Sequence, residues 1–431
     1  MTKKNIIIVS YSFPPSNAPA AQRPYALAKY LDSDKFNKTV ITCSNTDSSL
    51  GFDSNFDENL NNVNLFKIKS KVGRTVSTLR NGKMADKKKS ISSSIKAFFF
   101  NLLSSLVVPD KAIFWVPNVI KFLKNNPQLV ESCDLIYSTS PAFSNHLIAR
   151  FIKKKNKNVK WIADLRDFHY LESQSEKNNL KSNINKRLEK SVLKKADKIV
   201  FISKSMLDVY ANHYTEFASK MNVVYNGFDL DDQKETFEKL NNESLTIFYA
   251  GSFYRGVRSP IPLLKILDAL ILSGKIQIHD VSIQIAGNFE QDLIDEAKNF
   301  NSFKSIVFLG KISRSDVLQK LKKSDLLWLI IGEKPAHYCG VPIKFFEYIG
   351  ARRPIINFAP SKSEPTRIIK NYNLGWNFDL DNFDLQDCIQ KFNEIIIQKK
   401  CGDLNNPVES RKFPEFNRKD QASVFEQIFE S

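Results

Sequence analysis

Short apolar runs recur along the chain, each followed by a stretch with helical spacing, and this rhythm limits the fold more than any other feature. In the first half, "NIIIVS" at Asn5–Ser10 leads into "AAQRPYALAKYL". The runs "KTVITCS", "CDLIYSTS", "VKWIADLRD", "DKIVFIS" and "MNVVYNG" continue the series, with the helical "FSNHLIARFIKKK" among them. It restarts at "LTIFYAGS" and passes through "VSIQIAG", "SIVFLG", "DLLWLII" and "PIINFA". Between these lie "PLLKILDALILSG", "SDVLQKLKK" and "KFFEYIGARR". Strands that are apolar throughout are buried on both faces, which predicts parallel sheets covered by helices. The polar stretch "NGFDLDDQKETFEKLNNES" divides the two series,. The expectation is an α/β chain with two doubly wound, parallel-sheet domains, residues 1–227 and 228–411. Residues 412–431 end in the helical "RKDQASVFEQIFES", expected to cross back onto the first domain. A length of 431 residues, with 42% hydrophobic and 25% charged, suits two ordinary globular cores,.

Five cysteines, Cys43, Cys133, Cys339, Cys388 and Cys401, are scattered without a CxxC pair. That pattern points to neither a disulfide framework nor a zinc site, and to a reducing compartment. The apolar stretch after "MTKK" is too short for a signal peptide and reads as a first strand. No window reaches the roughly 18 apolar residues of a membrane span, so a cytoplasmic location is expected. The formal net charge of +17 points to nucleic acid, anionic lipid or a phosphorylated ligand, against a plain lysine-rich surface,. One region breaks the rhythm: Lys71–Asp110 joins a basic, polar stretch to Phe98, Phe99, Phe100, Leu102, Leu103 and Leu106. Three consecutive phenylalanines do not fit one helical face. The segment is either a membrane-surface element or an insertion capping the first domain's core.

Ligands of open α/β sheets bind beyond the carboxyl ends of the strands, which selects a few loops. "LTIFYAGSFYRGVRSP" places Gly251 and Ser252 after a strand, with Arg255 and Arg258 able to chelate phosphate oxygens,. "VFLGKISRSD" repeats the arrangement with Lys311 after Gly310. After "DLLWLII", Gly340, Val341 and Pro342 precede a helix beginning near Ile343. Free N–H groups at such an end attract phosphate. Lys344 in the first turn opposes an isolated helix dipole and suits one that carries an anion. Glu347, one turn on, is placed to accept hydrogen bonds from vicinal hydroxyls such as a ribose. The chemistry indicated is a sugar nucleotide with its diphosphate on the helix end.

"GVPIKFFEYIGARRPII" resembles the donor-site signature of the retaining glycosyltransferases of family 4, in the subgroup with a K-x-x-E-Y core. The resemblance extends over nearly the whole chain. "YSFPPSNAPAAQRPYALAKYL" resembles the family's opening loop and first helix. "VPDKAIFWVPN", "STSPAFSNHLIA" and "WIADLRD" resemble its first-domain segments, "VVYNGFD" its domain junction and "YAGSFYRGVRSP" its first donor loop. The resemblance implies a GT-B architecture: two Rossmann-like domains facing a cleft, acceptor on the first and nucleotide sugar on the second. It assigns Arg258 and Lys311 to the diphosphate and Glu347 to the ribose. It further implies no metal and no cofactor, a departing nucleoside diphosphate (UDP by family habit) held by cations and a helix end, and retention of anomeric configuration by front-face attack. The expected setting is bacterial surface polysaccharide of capsule or O-antigen type, with a lipid-linked acceptor at the cytoplasmic face of an anionic membrane. There are two departures. Cys339 stands where much of the family has the first Glu of E-x7-E, and Asn17-Ala18-Pro19-Ala20-Ala21 replaces a glycine-rich loop,.

On the acceptor side, Asn17 and Ala18 come from the opening loop. Arg166, Asp167 and His169 end a strand in "ADLRDFHY", and His146 is a weaker candidate. Asp167 is the carboxylate expected to orient the acceptor or act as base, whereas Asp164 reads as an ion-pair partner of Arg166. His213 and His279 have no supporting constellation. The triplets Asp229–Asp231 and Asp379–Asp381 read as caps and turns rather than metal sites. Three rivals accompany the transferase: a nucleotide-sugar epimerase of the same fold, a basic nucleic-acid binder and a scaffold with a decayed site. Lysine runs without interleaved aromatics disfavour the second, and the retained Arg258, Lys311, Lys344 and Glu347 disfavour the third.

Overall fold

The computed structural model describes residues 2–16, 18–44, 60, 62–70, 107–173, 180–229, 240, 243–402, 404 and 413–431. Two compact units emerge: Met1–Tyr225 together with Arg418–Ser431, and Asn226–Asn417. Asn17, Asp231 and most of Lys71–Asp110 (residues 71–106) lie outside the described residues.

The first unit holds β1 (Lys4–Val9), β2 (Phe36–Cys43), β3 (Val63–Ile68), β4 (Leu135–Thr139), β5 (Lys160–Leu165), β6 (Lys198–Phe201) and β7 (Met221–Val223). They form one sheet in the order β3-β2-β1-β4-β5-β6-β7, with parallel pairing throughout. Ile6, Ile7, Ile8 and Val9 are all buried, as a strand with helices on both faces requires,. The helix Arg418–Glu430 belongs to this unit and packs against the helix Pro19–Tyr30. Phe425 meets Tyr137 edge-on at 5.5 Å and Phe429 meets Phe36 at 5.9 Å. Lys160 Nζ donates to the Phe429 carbonyl at 3.0 Å, a cation placed on the negative end of that helix,.

The second unit holds β8 (Leu245–Ala250), β9 (Val281–Ala286), β10 (Ile306–Gly310), β11 (Leu326–Ile330), β12 (Ile355–Ala359) and β13 (Gly375–Asp379). Its parallel sheet runs β10-β9-β8-β11-β12-β13. Counted within the unit, this is the 3-2-1-4-5-6 order of a dinucleotide-binding sheet, and the order reverses between β8 and β11,. Tyr249 and Phe253 stack at 4.4 Å, and Trp328 packs against both, filling the sheet face beneath that switch point. Asn357, buried in β12, donates to Thr366 Oγ1 at 3.0 Å and Asn377 Oδ1 at 2.9 Å, so its burial leaves no donor wasted,.

Candidate functional site

At the carboxyl end of β8 the chain turns through Gly251, whose φ of +150° is a conformation that side-chain-bearing residues rarely adopt,. A Cβ there would lie 3.2 Å from Lys344 Nζ. At Gly287, after β9, a Cβ would come within 1.9 Å of the Gly251 carbonyl oxygen. Two glycines thus let the backbones of neighbouring loops meet. Ser252 ties them together: its Oγ accepts from the Asn288 N–H at 3.2 Å and its carbonyl from the Tyr249 hydroxyl at 3.2 Å. Reciprocal backbone bonds between Tyr254 and Arg258 (3.1 and 2.9 Å) close a tight turn around Gly256, φ +75°. That turn sends its two arginines apart. Arg255 pairs with Glu296 at 3.2 Å on the surface, while Arg258 stays partly buried with its Nε unpartnered.

The helix Ile343–Ala351 starts from Pro342, which supplies no side-chain cap. Tyr348 fixes it to the sheet, accepting from the Ala250 N–H at 3.2 Å and donating to the Trp328 carbonyl at 3.1 Å. Phe345, Phe346 and Ile349 bury its other side. Gly340 and Ile343 stand at its entry. This anchoring leaves Lys344 with its ammonium 4.2 Å from the Tyr249 ring centroid, buried and without a hydrogen-bond partner. Burial holds its proton affinity well below the usual lysine range, Arg258 pushes in the same direction, and Glu347 opposes,. The Tyr249 hydroxyl is pushed up to about 12 by burial, with Arg258 opposing. Two cationic groups therefore share a desolvated space with nitrogens unsatisfied, which costs stability unless a ligand completes them.

Glu347 does not wait alone for a hydroxyl: Arg314 Nη2 sits 3.5 Å from its Oε1. Arg314 opens the helix Arg314–Lys322, just after the loop that carries Lys311. Lys311 follows Gly310 (φ +64°), is exposed, and makes no hydrogen bond or ion pair with the described residues. Arg314, which the sequence reading did not single out, is the residue that meets the Glu347 carboxylate. Cys339 is 2% exposed, and burial pushes its thiol up to about 11, leaving a neutral group unlike the carboxylate it replaces. Two residues earlier, on the short helix Pro335–Tyr338, His337 lies against Gly332, where an added Cβ would be 2.4 Å from its Nδ1. That Nδ1 is buried without a partner, and Arg258 is the charged group acting most on the ring.

The first unit's candidates divide into interior and surface. Asp164 is fully buried: it pairs with Arg23 at 3.1 Å and accepts from the Tyr137 hydroxyl at 2.5 Å and Thr139 Oγ1 at 2.8 Å. Arg166 is buried too, its Nε donating to the Ser140 carbonyl at 2.7 Å and its Nη2 to the Ala20 carbonyl at 2.8 Å. It reads as a brace between β4 and the first helix, and only at 3.9 Å as the partner of Asp164; Arg23 is the residue that the sequence reading missed. Ala18 caps the helix Pro19–Tyr30 and is buried. His146 has no exposed surface, which corrects its placement among acceptor contacts. Ser138 Oγ accepts from Trp161 Nε1 at 2.8 Å and shares a hydrogen bond with His146 Nδ1, also at 2.8 Å,. Burial pushes that imidazole down to about 3. His169 stacks on Phe143 at 3.9 Å and is pushed down to about 4 by burial. Asp167 alone is exposed, at the end of β5; the surrounding protein raises its carboxyl pKa and Arg166 opposes. Asp379 Oδ1 accepts from the N–H groups of Ser361 and Asp381, a turn rather than a metal site.

Residues 98–232 match the family model described as Glycosyltransferase Family 4. That segment falls on the first unit and the opening residues of the second, so the Arg258–Lys344 cluster lies outside it. No curated protein matches the sequence. Among solved structures, a sucrose-phosphate synthase from Thermosynechococcus elongatus is similar with a TM-score of 0.63 at 12% identity, covering 100% of this chain and 98% of that one. A lipopolysaccharide outer core galactosyltransferase is similar at 0.57 and 14% identity, covering 99% of each chain. A protein from Listeria monocytogenes named for UDP-N-acetylglucosamine 2-epimerase reaches 0.53 at 10% identity, with 100% of this chain and 97% of that one covered. Identities this low speak for the fold alone. Residues 98–232 are thus similar to glycosyltransferase family 4, and the two parallel sheets give the chain the GT-B fold of these structures.

Proposed function

We propose that the chain moves a sugar from a nucleoside diphosphate sugar to a saccharide or lipid-linked acceptor, with retention at the anomeric carbon. The observation that carries this reading is the pair of unsatisfied, buried nitrogens, Arg258 Nε and Lys344 Nζ, beside the glycine turn at Gly251 and one helical turn from Glu347. A diphosphate supplies the negative charge that these groups lack, and the uncapped start of helix Ile343–Ala351 adds N–H donors,. As the glycosidic bond to phosphate breaks, the leaving oxygen gains charge, and cations already in place stabilise it without reorganisation. Lys311 and the exposed Asp167 remain the further candidates: the first for the diphosphate, the second for the acceptor hydroxyl.

UDP is the preferred carrier, and no metal is required when side-chain cations hold the diphosphate. The setting we favour is surface polysaccharide synthesis at an anionic membrane face. The net charge of +17 supports contact with such a surface,, and no helix among the described residues is long and apolar enough to cross a membrane. The test is calorimetric titration of UDP, GDP, ADP and CMP into the wild-type chain and into Glu347→Ala. One diphosphate should bind selectively, and the variant should weaken it about 10-fold or more. Equal binding by the variant, or none by the wild type, would refute the donor site. An epimerase sharing the fold is separated by its product, a free altered sugar with no acceptor consumed.

A further inference from the structure

His337 belongs to no expected motif, yet the structure prepares a place for it. The ring lies where a side chain at residue 332 would be, and only glycine there leaves the space. The turn holding it follows β11, one of the two strands at the sheet's switch point,. Its Nδ1 is buried without a partner, as are Arg258 Nε and Lys344 Nζ. The charged groups acting on the ring are Arg258, from the loop after β8, and Lys334 on its own element, both positive. Beyond Arg258 stand Lys344 and Glu347, and Glu347 is already paired with Arg314. Cys339, buried and neutral, supplies no counter-charge.

Resting on the nucleotide reading above, we infer that His337 is a third contact to the diphosphate, binding a phosphate oxygen as an imidazolium through Nδ1–H and coupling ligand binding to uptake of one proton. The physical basis is reciprocal. Without ligand, burial and the neighbouring cations keep the ring neutral,. A diphosphate brings negative charge into the same space, which reverses the field at the imidazole. The proton taken from solvent then forms a charge-assisted hydrogen bond of the kind made by Arg258.

The experiment is titration of the selected nucleoside diphosphate, UDP first, into the full chain at pH 7.5 in two buffers of different ionisation enthalpy. The wild type should take up close to one proton more than His337→Gln, in which any protonation of the nucleotide itself is unchanged. Affinity of the variant should be about 10-fold weaker at pH 6 and converge with wild type by pH 9. Nitrogen NMR of the imidazole, assigned by the signal lost in His337→Gln, provides a readout in unmodified protein: Nδ1 should become protonated in the complex. A neutral ring in the complex, or equal uptake by the variant, would overturn the inference. Binding lost in Glu347→Ala but proton uptake independent of His337 would leave the donor site standing and remove His337 from it. Failure of every nucleotide to bind wild type would overturn both.

Discussion

Replacing Lys344 by Met should move binding and stability in opposite directions. The substitution keeps the aliphatic stem and the packing on Tyr249 but removes an ammonium that has no hydrogen-bond partner in the ligand-free chain. An unsatisfied buried polar group costs about 1–3 kcal/mol, and the lost cation–π contact returns roughly 0.5–2 kcal/mol. The net gain is about 1 kcal/mol, a rise in Tm of roughly 2–4 °C for a unit of this size. The pH dependence fixes the sign independently. Burial lowers the lysine's proton affinity in the folded chain, so the unfolded chain binds that proton more tightly. Wild-type stability therefore rises with pH up to the unfolded value near 10.5,. Lys344→Met lacks that rise, and its advantage should shrink as pH climbs. Diphosphate affinity should fall meanwhile: a charge-assisted hydrogen bond of about 1.5–3 kcal/mol corresponds to roughly 10- to 100-fold in Kd. Denaturation scans at several pH values and calorimetry on the same samples read both quantities. A variant that loses stability and binds the diphosphate as wild type does would show Lys344 to be a packing residue and refute the reasoning.

Glycine geometry gives the next expectation: Gly287→Ala, with its Cβ 1.9 Å from the Gly251 carbonyl, should lose about 3 kcal/mol in a urea titration,. Asp164→Asn should cost about 3–5 kcal/mol by leaving Arg23 buried without its counter-charge, read by the same titration,. Glu189, buried and accepting from the Tyr170 N–H and the Tyr210 and Tyr214 hydroxyls at 2.9 Å each, is pushed up to about 7 by burial. The folded chain thus holds this proton more tightly than the unfolded one, whose value is 4.5, and stability should fall as pH rises from about 4.5 to about 7,. Glu189→Gln should flatten that slope, measured as Tm against pH.

How far the sequence carried the fold depended on burial. Central strands such as β11, and the Ile6–Val9 part of β1, are continuous apolar runs buried on both faces, so they stand out. β3 (VNLFKI) and β13 (GWNFD) escaped notice because polar positions interrupt their apolar runs, whereas β10, also an edge strand, keeps the continuous apolar run Ile306–Leu309,. The site divides in the same way. Lys344 was legible because a basic residue in a helix's first turn opposes the dipole. The same argument applied to Arg314, which opens the helix Arg314–Lys322, would have singled out the residue that pairs with Glu347. His337 had no such signal, because the turn through Gly332 that seats its ring becomes visible only once the backbone is folded. Arg23 likewise lies far in sequence from Asp164, and no spacing rule joins them.

The most direct test of the account compares the nucleoside diphosphate with its monophosphate at the wild-type chain, in parallel with Arg258→Ala combined with Lys344→Met. If the unsatisfied nitrogens form a diphosphate site, the diphosphate should bind wild type at least about 10-fold more tightly, and the double variant should bind the two alike. Equal affinity for both nucleotides at the wild-type chain would contradict the account, because the cluster around Lys344 would then make no contact with the second phosphate.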